Sequence, residues 1–368
     1  MLEFIDEELN NLKQSGLYRE LKTIEKISGT RVTISGKEYI NFCSNNYLGL
    51  ANHPKVKAKA IEIINEFGFG AGASRLICGN TVIHELIEEK LAKFKNREAA
   101  IVFPTGYMAN LGTITSLVNE NDTVIIDRLN HASIIDACKL SKAKLQVYPH
   151  LDMSALEKIL QKSGKYKKRL IVTDHVFSMD GDIAPLEQIV KLAKKHQAIT
   201  MIDDAHAVGL KVPAEVDIVM GTLSKALGSL GGFVSGSQKL INYLRNKARS
   251  FIYTTALTMA ACGATIAALE VIESEPELIR NLRINSRFLG SETPIIPIII
   301  NDATKTMEIA QKLFDQGILV SAIRPPTVPK GQSRLRITVS AMHTKEDLTC
   351  LASLLQPLIP RSAKYDII

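Results

Sequence analysis

Tryptophan is absent from the 368 residues, and Phe, Trp and Tyr together make up only 5%. The hydrophobic core must therefore be aliphatic. Cysteine is sparse as well: Cys43, Cys78, Cys138, Cys262 and Cys350 are scattered, with no CxxC pair and no metal-ligand spacing. That distribution argues against a disulfide framework and a metal site, and for a reducing, cytoplasmic compartment. Long apolar runs are missing too. The most apolar stretch, Ile295-Ile-Pro-Ile-Ile-Ile300, is far too short to span a bilayer and reads as a buried strand. The N-terminus carries Glu3, Asp6, Glu7 and Glu8, the wrong sign for a secretory signal. There are no internal repeats and no low-complexity tracts.

What is present is the composition of a soluble globular protein, 46% hydrophobic and 23% charged. The formal net charge is +7, but the basic residues are spread along the chain. The densest cluster, Lys165-Tyr-Lys-Lys-Arg169, reads as a solvated turn before a strand. No nucleic-acid partner and no membrane partner are expected. A mildly positive field suits an anionic small-molecule substrate instead.

The length predicts one large domain and a smaller one. Residues 1–45 form an N-terminal arm, in which Leu9, Leu12, Leu17, Leu21 and Ile24 recur at roughly helical spacing. Over residues 46–275 helical and strand patterns alternate. Strands are expected at Ala99–Phe103, Thr123–Ile126, Gln146–Tyr148, Leu170–Thr173, Ile199–Ile202, Ile218–Met220 and Gly232–Ser235. Helices are expected at Ile83–Phe94, Met153–Leu160 and Leu186–His196. This is the pattern of an α/β domain, a mostly parallel seven-stranded sheet with helices on both faces. Residues 276–368 read as a smaller α+β domain.

The chemistry-bearing residues cluster where those strands end. Thr200-Met-Ile-Asp203 delivers a carboxylate at its polar end, and Val216-Asp-Ile-Val-Met220 runs into Gly-Thr-Leu-Ser-Lys225. Ligands of open α/β sheets bind at strand carboxyl ends. A lysine amine beside a buried acid is the pair that pyridoxal phosphate (PLP) chemistry uses. Pro104-Thr-Gly-Tyr107 opens a helix after a strand and offers an anion cradle for a phosphate. His131, in Asp127-Arg-Leu-Asn-His-Ala-Ser133, could lie flat on a pyridine ring. His206 follows Asp203 by three residues, and Val176-Phe-Ser-Met-Asp-Gly-Asp182 places Ser178 at the same sheet edge. Two glycine runs, Gly68-Phe-Gly-Ala-Gly72 and Gly228-Ser-Leu-Gly-Gly232, lack the strand–helix context of a dinucleotide site.

The ordered set Cys43-Ser-Asn-Asn-Tyr-Leu-Gly49, Gly70-Ala-Gly-Ala-Ser-Arg75, Asn130-His-Ala132, Phe177-Ser-Met-Asp-Gly-Asp182, Asp203-Asp-Ala-His206, Gly221-Thr-Leu-Ser-Lys225 and Arg324-Pro-Pro-Thr-Val-Pro329 resembles the α-oxoamine synthases, PLP-dependent transferases of fold type I. The resemblance covers nearly the whole chain. It implies an acyltransferase that joins an amino acid to an acyl-coenzyme A or acyl carrier protein thioester with loss of carbon dioxide, as a homodimer with its site at the interface. It also implies that Lys225 carries the cofactor and shuttles protons, and that Asp203 meets the pyridine nitrogen. His131 would stack on the ring, while Ser178 and His206 would address its phenolic oxygen. Thr105, Gly106, Tyr107 and Thr222 would form the phosphate and near-ring set, joined by Thr254 or Thr255 from the partner subunit. Asn45 would face the substrate, Arg336 would fork onto the amino-acid carboxylate with Arg324 as a second candidate, and Arg19 would meet an acyl carboxylate.

Within the family, Ala322-Ile-Arg-Pro-Pro-Thr-Val-Pro329 and the alanine of Asp-Asp-Ala-His lean toward the branch that uses L-alanine and a pimeloyl thioester. The alternatives are the branch that uses glycine and acetyl-coenzyme A, and a non-catalytic interaction subunit, against which the intact Lys225 argues. Three departures from the family pattern stand out. The segment between Gly209 and Val216 is short, the stretch between Phe288 and Ser291 lacks residues, and His175 stands where a small residue is usual.

Overall fold

The computed structural model describes residues 2–359. In chain order its elements are α1 (Phe4–Gln14), β1 (Lys26–Ser28), β2 (Arg31–Ile34), β3 (Lys37–Asn41), α2 (Pro54–Phe67), α3 (Val82–Phe94), β4 (Ala99–Phe103), α4 (Gly106–Leu117), β5 (Thr123–Asp127), α5 (Ala132–Leu140), β6 (Lys144–Tyr148), α6 (Met153–Lys162), β7 (Arg169–Asp174) and α7 (Leu186–Lys195). There follow β8 (Ile199–Asp203), β9 (Ile218–Thr222), β10 (Gly232–Gly236), α8 (Gln238–Lys247), α9 (Arg249–Ile252), α10 (Met259–Ser274), α11 (Glu277–Phe288), β11 (Ile295–Asn301), α12 (Ala303–Asp315), β12 (Ile318–Leu319), β13 (Ser321–Ile323), β14 (Ser333–Thr338) and α13 (Lys345–Leu355).

The chain divides into two units, one of Leu50–Ser178 and Asp182–Pro276, the other of the described residues in Met1–Gly49, Met179–Gly181 and Glu277–Ile368. The first is built on a seven-stranded sheet of order β4-β10-β9-β8-β7-β5-β6. Strands β9, β8, β7, β5 and β6 run parallel, and β10 is antiparallel to both its neighbours. Successive strand side chains point to opposite faces, and both faces are apolar here. Val124 and Ile126 of β5 and Val172 of β7 join Ala109 and Ile114 of α4 and Ile134 of α5. Ile125 and Ile171 point the other way, onto Leu156 and Leu160 of α6 and Ile189 of α7. Each such buried aliphatic side chain stabilises the fold by roughly 1.5–3 kcal/mol. Side-chain oxygens cap the helices: Thr105 accepts the Met108 N–H at the start of α4, and Asp152 the Ala155 N–H at the start of α6.

The second unit contains a four-stranded sheet of order β1-β2-β3-β12 and a three-stranded antiparallel sheet of order β11-β14-β13. The arm is less helical than its leucine spacing suggests. After α1 the chain forms the β1–β2 hairpin over Lys26–Ile34, because Val32 and Ile34 find a covered face beside Tyr39.

Candidate functional site

Six strands of like direction, β4 among them, bring their carboxyl ends to one edge of the first unit's sheet, and β10 begins there. Asp174 ends β7, Asp203 ends β8 and lies in register with Asp174, and Thr222 ends β9 opposite Gly232. A cavity of about 170 Å³ opens at this edge. Lys225, His206, Asp203, His131, Thr222, Gly106 and Tyr107 line it, together with Asn110, Ser133 and Asp174. Seven residues singled out in the sequence thus share one cavity.

The Lys225 amine lies 2.7 Å from Nε2 of the buried His206. Asp203 is buried, with Oδ2 accepting from Asn110 Nδ2 at 2.8 Å and Oδ1 accepting from the Ala205 N–H at 3.0 Å. Next to it Asp174 accepts from Asn130 Nδ2 at 2.7 Å and from the His131 N–H at 2.9 Å. Burial and the neighbouring Asp203 push the Asp174 carboxyl well above its ordinary range, against the pull of those two donors. His131 is the N-cap of α5. Thr222 donates to the Gly231 carbonyl at 3.0 Å and pairs with Ser224 Oγ at 2.8 Å. Tyr107 donates to Asp136 at 2.5 Å.

Glycines shape the edge. A Cβ at Gly106 would meet Met220 Cε at 3.0 Å and Thr222 Oγ1 at 3.7 Å. A Cβ at Gly232 would meet Gly106 Cα at 2.6 Å. Gly232 therefore lets β10 approach the N-terminus of α4 closely. Thr105 caps α4 just outside the lining. Ser178 follows β7 beyond it, and Thr254 and Thr255 lie between α9 and α10.

In the other unit, Arg336 is buried, donating to Thr338 Oγ1 at 2.7 Å and to Asn45 Oδ1 at 3.1 Å. Arg334, two residues before it, is bound to Asp180 and to the carbonyls of Met179 and Gln332. Arg324 donates to the carbonyls of Gly16 and Tyr18, and Arg19 to the carbonyl of Pro325 at 3.4 Å. These last two tie the arm to the Arg324–Pro329 turn. The unusual His175 also has a place: its Nδ1 lies 2.6 Å from the buried Asp204, which Lys95 reaches from its other oxygen at 2.5 Å. Asn110 and Asp174 are lining residues that sequence reasoning missed, and Ser133 was read only as the end of the His131 motif. Asn110 lies in the interior of α4, where nothing marks it. Asp174 could have been found as a carboxylate directly after an apolar strand, in the same position as Asp203.

The sequence profile of the family described as "Aminotransferase class I and II" matches residues 37–355. The chain is 48% identical to the 8-amino-7-oxononanoate synthase of Thermoanaerobacter pseudethanolicus, over 94% of each chain. It is also 48% identical to that of Lysinibacillus sphaericus, over 94% of this chain and 95% of the relative. Among solved structures it is similar to serine palmitoyltransferase from S. paucimobilis with a bound PLP–myriocin aldimine, with a TM-score of 0.91 and 30% identity over 97% of each chain. It is likewise similar to the 8-amino-7-oxononanoate synthase of Francisella tularensis, with a TM-score of 0.75 and 29% identity over 87% of this chain and 97% of that one.

Proposed function

The chain belongs to the class I and II aminotransferase family, and on that premise we propose that it is an 8-amino-7-oxononanoate synthase, a PLP-dependent acyltransferase of biotin biosynthesis. It joins L-alanine to a pimeloyl thioester carried on coenzyme A or on an acyl carrier protein. The bond formed is between the alanine Cα and the thioester carbonyl carbon, and the C–S bond breaks to release the thiol. The bond from Cα to the carboxylate then breaks as carbon dioxide leaves, and a proton returns to Cα. The observation that carries this reading is the meeting of Lys225, His206, Asp203 and His131 in one cavity, in a chain so similar to enzymes of that name over nearly its full length.

The cavity residues fit pyridoxal 5'-phosphate. An amine, a buried carboxylate, two hydroxyls and a helix N-terminus left open by Gly106 match its aldehyde, ring nitrogen and phosphate in kind. When bound, the cofactor supplies a cationic ring that takes up the electron pair released at Cα. Lys225 holds the cofactor and moves the Cα proton, with His206 beside its amine. Asp203 meets the ring nitrogen, held by Asn110 and the Ala205 N–H. His131 would cover the ring face and His206 would serve the phenolic oxygen, with Ser178, in the loop after β7, a second group proposed for it. Thr105, Gly106, Tyr107 and Thr222 serve the phosphate.

Arg336 and Asn45 receive the amino-acid carboxylate; a guanidinium forks onto a carboxylate with two parallel bonds. We assign that carboxylate to Arg336, buried and held by Thr338 and Asn45, over Arg324, which donates to the carbonyls of Gly16 and Tyr18 in the arm.

The active unit is a cytoplasmic homodimer in which Thr254 or Thr255 reaches the partner's phosphate. Phe69, Leu76, Ile77 and Tyr253 of the first unit are 69%, 55%, 79% and 72% exposed, apolar surface that a partner subunit would cover. Among the described residues no helix is long and apolar enough to cross a membrane.

The test is to incubate the purified, PLP-loaded protein with L-alanine and pimeloyl-coenzyme A, and separately with glycine and acetyl-coenzyme A. Free thiol and carbon dioxide are expected in equal amounts from the first pair, with little from the second. Weak glycine turnover would still fit, since one methyl group is worth only roughly 1–3 kcal/mol of discrimination. Efficient acetyl transfer to glycine with pimeloyl thioester inert would overturn the assignment.

A further inference from the structure

Hydrogen-bond donors around His131 favour one tautomer of its ring. Its Nδ1 accepts the Ser133 N–H at 3.3 Å and lies 2.8 Å from Ser133 Oγ. A backbone N–H can only donate, so this contact, long at 3.3 Å, favours a lone pair on Nδ1, and the closer Ser133 hydroxyl fixes it. The oxygen of that hydroxyl receives Asn110 Nδ2 at 2.9 Å, which orients it to give its single hydrogen to Nδ1. The second N–H of the Asn110 amide goes to Asp203 Oδ2 at 2.8 Å.

The amide's own orientation follows from the same count. Turned over, its oxygen would face the Asp203 carboxylate, and Ser133 Oγ would lose its donor. In the orientation present, Asn110 Oδ1 is buried without a hydrogen-bond partner. Leaving a buried acceptor unsatisfied costs stability, a cost offset by the two bonds that the amide donates. Asn110 and Ser133 are each 1% exposed, at the buried back of the cavity lining.

We propose that Asn110 and Ser133 are positioning residues that hold His131 as the neutral Nε2–H tautomer, so that its ring offers the cavity a donor and no basic nitrogen. One amide thereby couples the carboxylate of Asp203 to the protonation pattern of the imidazole, through Ser133. The catalytic consequence rests on the function proposed above: His131 donates to an oxygen acceptor, and proton removal is left to Lys225. The tautomer itself does not depend on which substrates are used.

Histidine-selective 15N NMR tests it directly, with His131 identified by the signals missing from His131→Asn. In the wild-type protein, with and without PLP, we expect a protonated Nε2 and an unprotonated Nδ1 from about pH 6 to about pH 8. Ser133→Ala and Asn110→Leu should lose this single pattern and show mixed tautomers. A wild-type His131 with its proton on Nδ1, or on both nitrogens near neutral pH, overturns the proposal. So do folded variants whose His131 signals match wild type. The wild-type spectrum decides the tautomer even where a variant fails to fold. Because turnover is not measured, an altered substrate assignment would leave the result unchanged.

Discussion

Lys95, His175 and Asp204 form a buried charge cluster directly behind the carboxylate that ends β8. The Asp204 side chain is fully buried, and Lys95 and His175 meet it from its two oxygens. Burial alone would raise the Asp204 carboxyl. The charge of Lys95 and the hydrogen bonds from both partners outweigh it and hold the carboxyl below its ordinary range. Removing one partner of a buried ion pair leaves an uncompensated charge, typically a loss of about 3–5 kcal/mol. Lys95→Met keeps the apolar stem and deletes only the charge, so about 3 kcal/mol should be lost in urea denaturation at neutral pH. The sign with pH follows from the lowered carboxyl. Its stabilisation is present above the unfolded value of about 3.9 and is lost as pH falls through the depressed folded value. The gap between variant and wild type should therefore narrow in acid, and a gap independent of pH would disprove the pairing. At this scale the sequence was legible where chemistry sits on punctuation. Asp203, Thr222 and His131 each lie at or just after an apolar strand, and Lys225 follows three residues on. Asn110 was not legible, because a helix interior gives no sign that one asparagine is turned inward onto a carboxylate. The two arginines of β14 look equivalent in sequence, and only their partners, Asp180 for one and Asn45 for the other, separate them.

Single elements carry a second layer of control. His150, after β6, bridges Asp127 at the end of β5 through Nδ1 at 2.9 Å and Asp182 in the β7–α7 loop through Nε2 at 3.0 Å. Burial would lower its basicity, but the hydrogen bonds and charges of Asp127 and Asp182 outweigh it and push the imidazole up to about 9. A raised histidine stabilises the fold fully below its unfolded value of about 6.5, and that contribution disappears as pH rises through about 9. His150→Gln should thus melt below wild type near pH 6, with the two curves converging above pH 9 or so. A constant difference across that range would show that His150 acts by packing on Phe177, whose ring it meets edge-on at 4.5 Å, and not by charge. The strands of the large sheet were readable from their apolar runs because both of its faces are covered. The β1–β2 hairpin was not readable: every residue of β1 is exposed, so it has no alternating pattern, while the leucines before it mimic a helical period.

For the whole molecule, the decisive question is whether one chain completes another's site. Thr254 and Thr255 follow Tyr253, whose ring is 72% exposed, and they lie outside the cavity of their own chain. In a two-fold dimer each residue crosses the interface in both directions, so defects on different chains can be separated. A Lys225→Ala chain and a Thr254→Ala/Thr255→Ala chain should each be strongly impaired alone. Co-expressed with different tags and purified as the hybrid, they should place both defects in one site and leave the other intact. The hybrid should then show about half of the wild-type rate per dimer. Had the threonines served the cavity of their own chain, each site in the hybrid would carry one defect and no activity would return. A hybrid as inactive as its parents would therefore move these two residues out of the shared site, while leaving the assignments of Lys225 and Asp203 untouched.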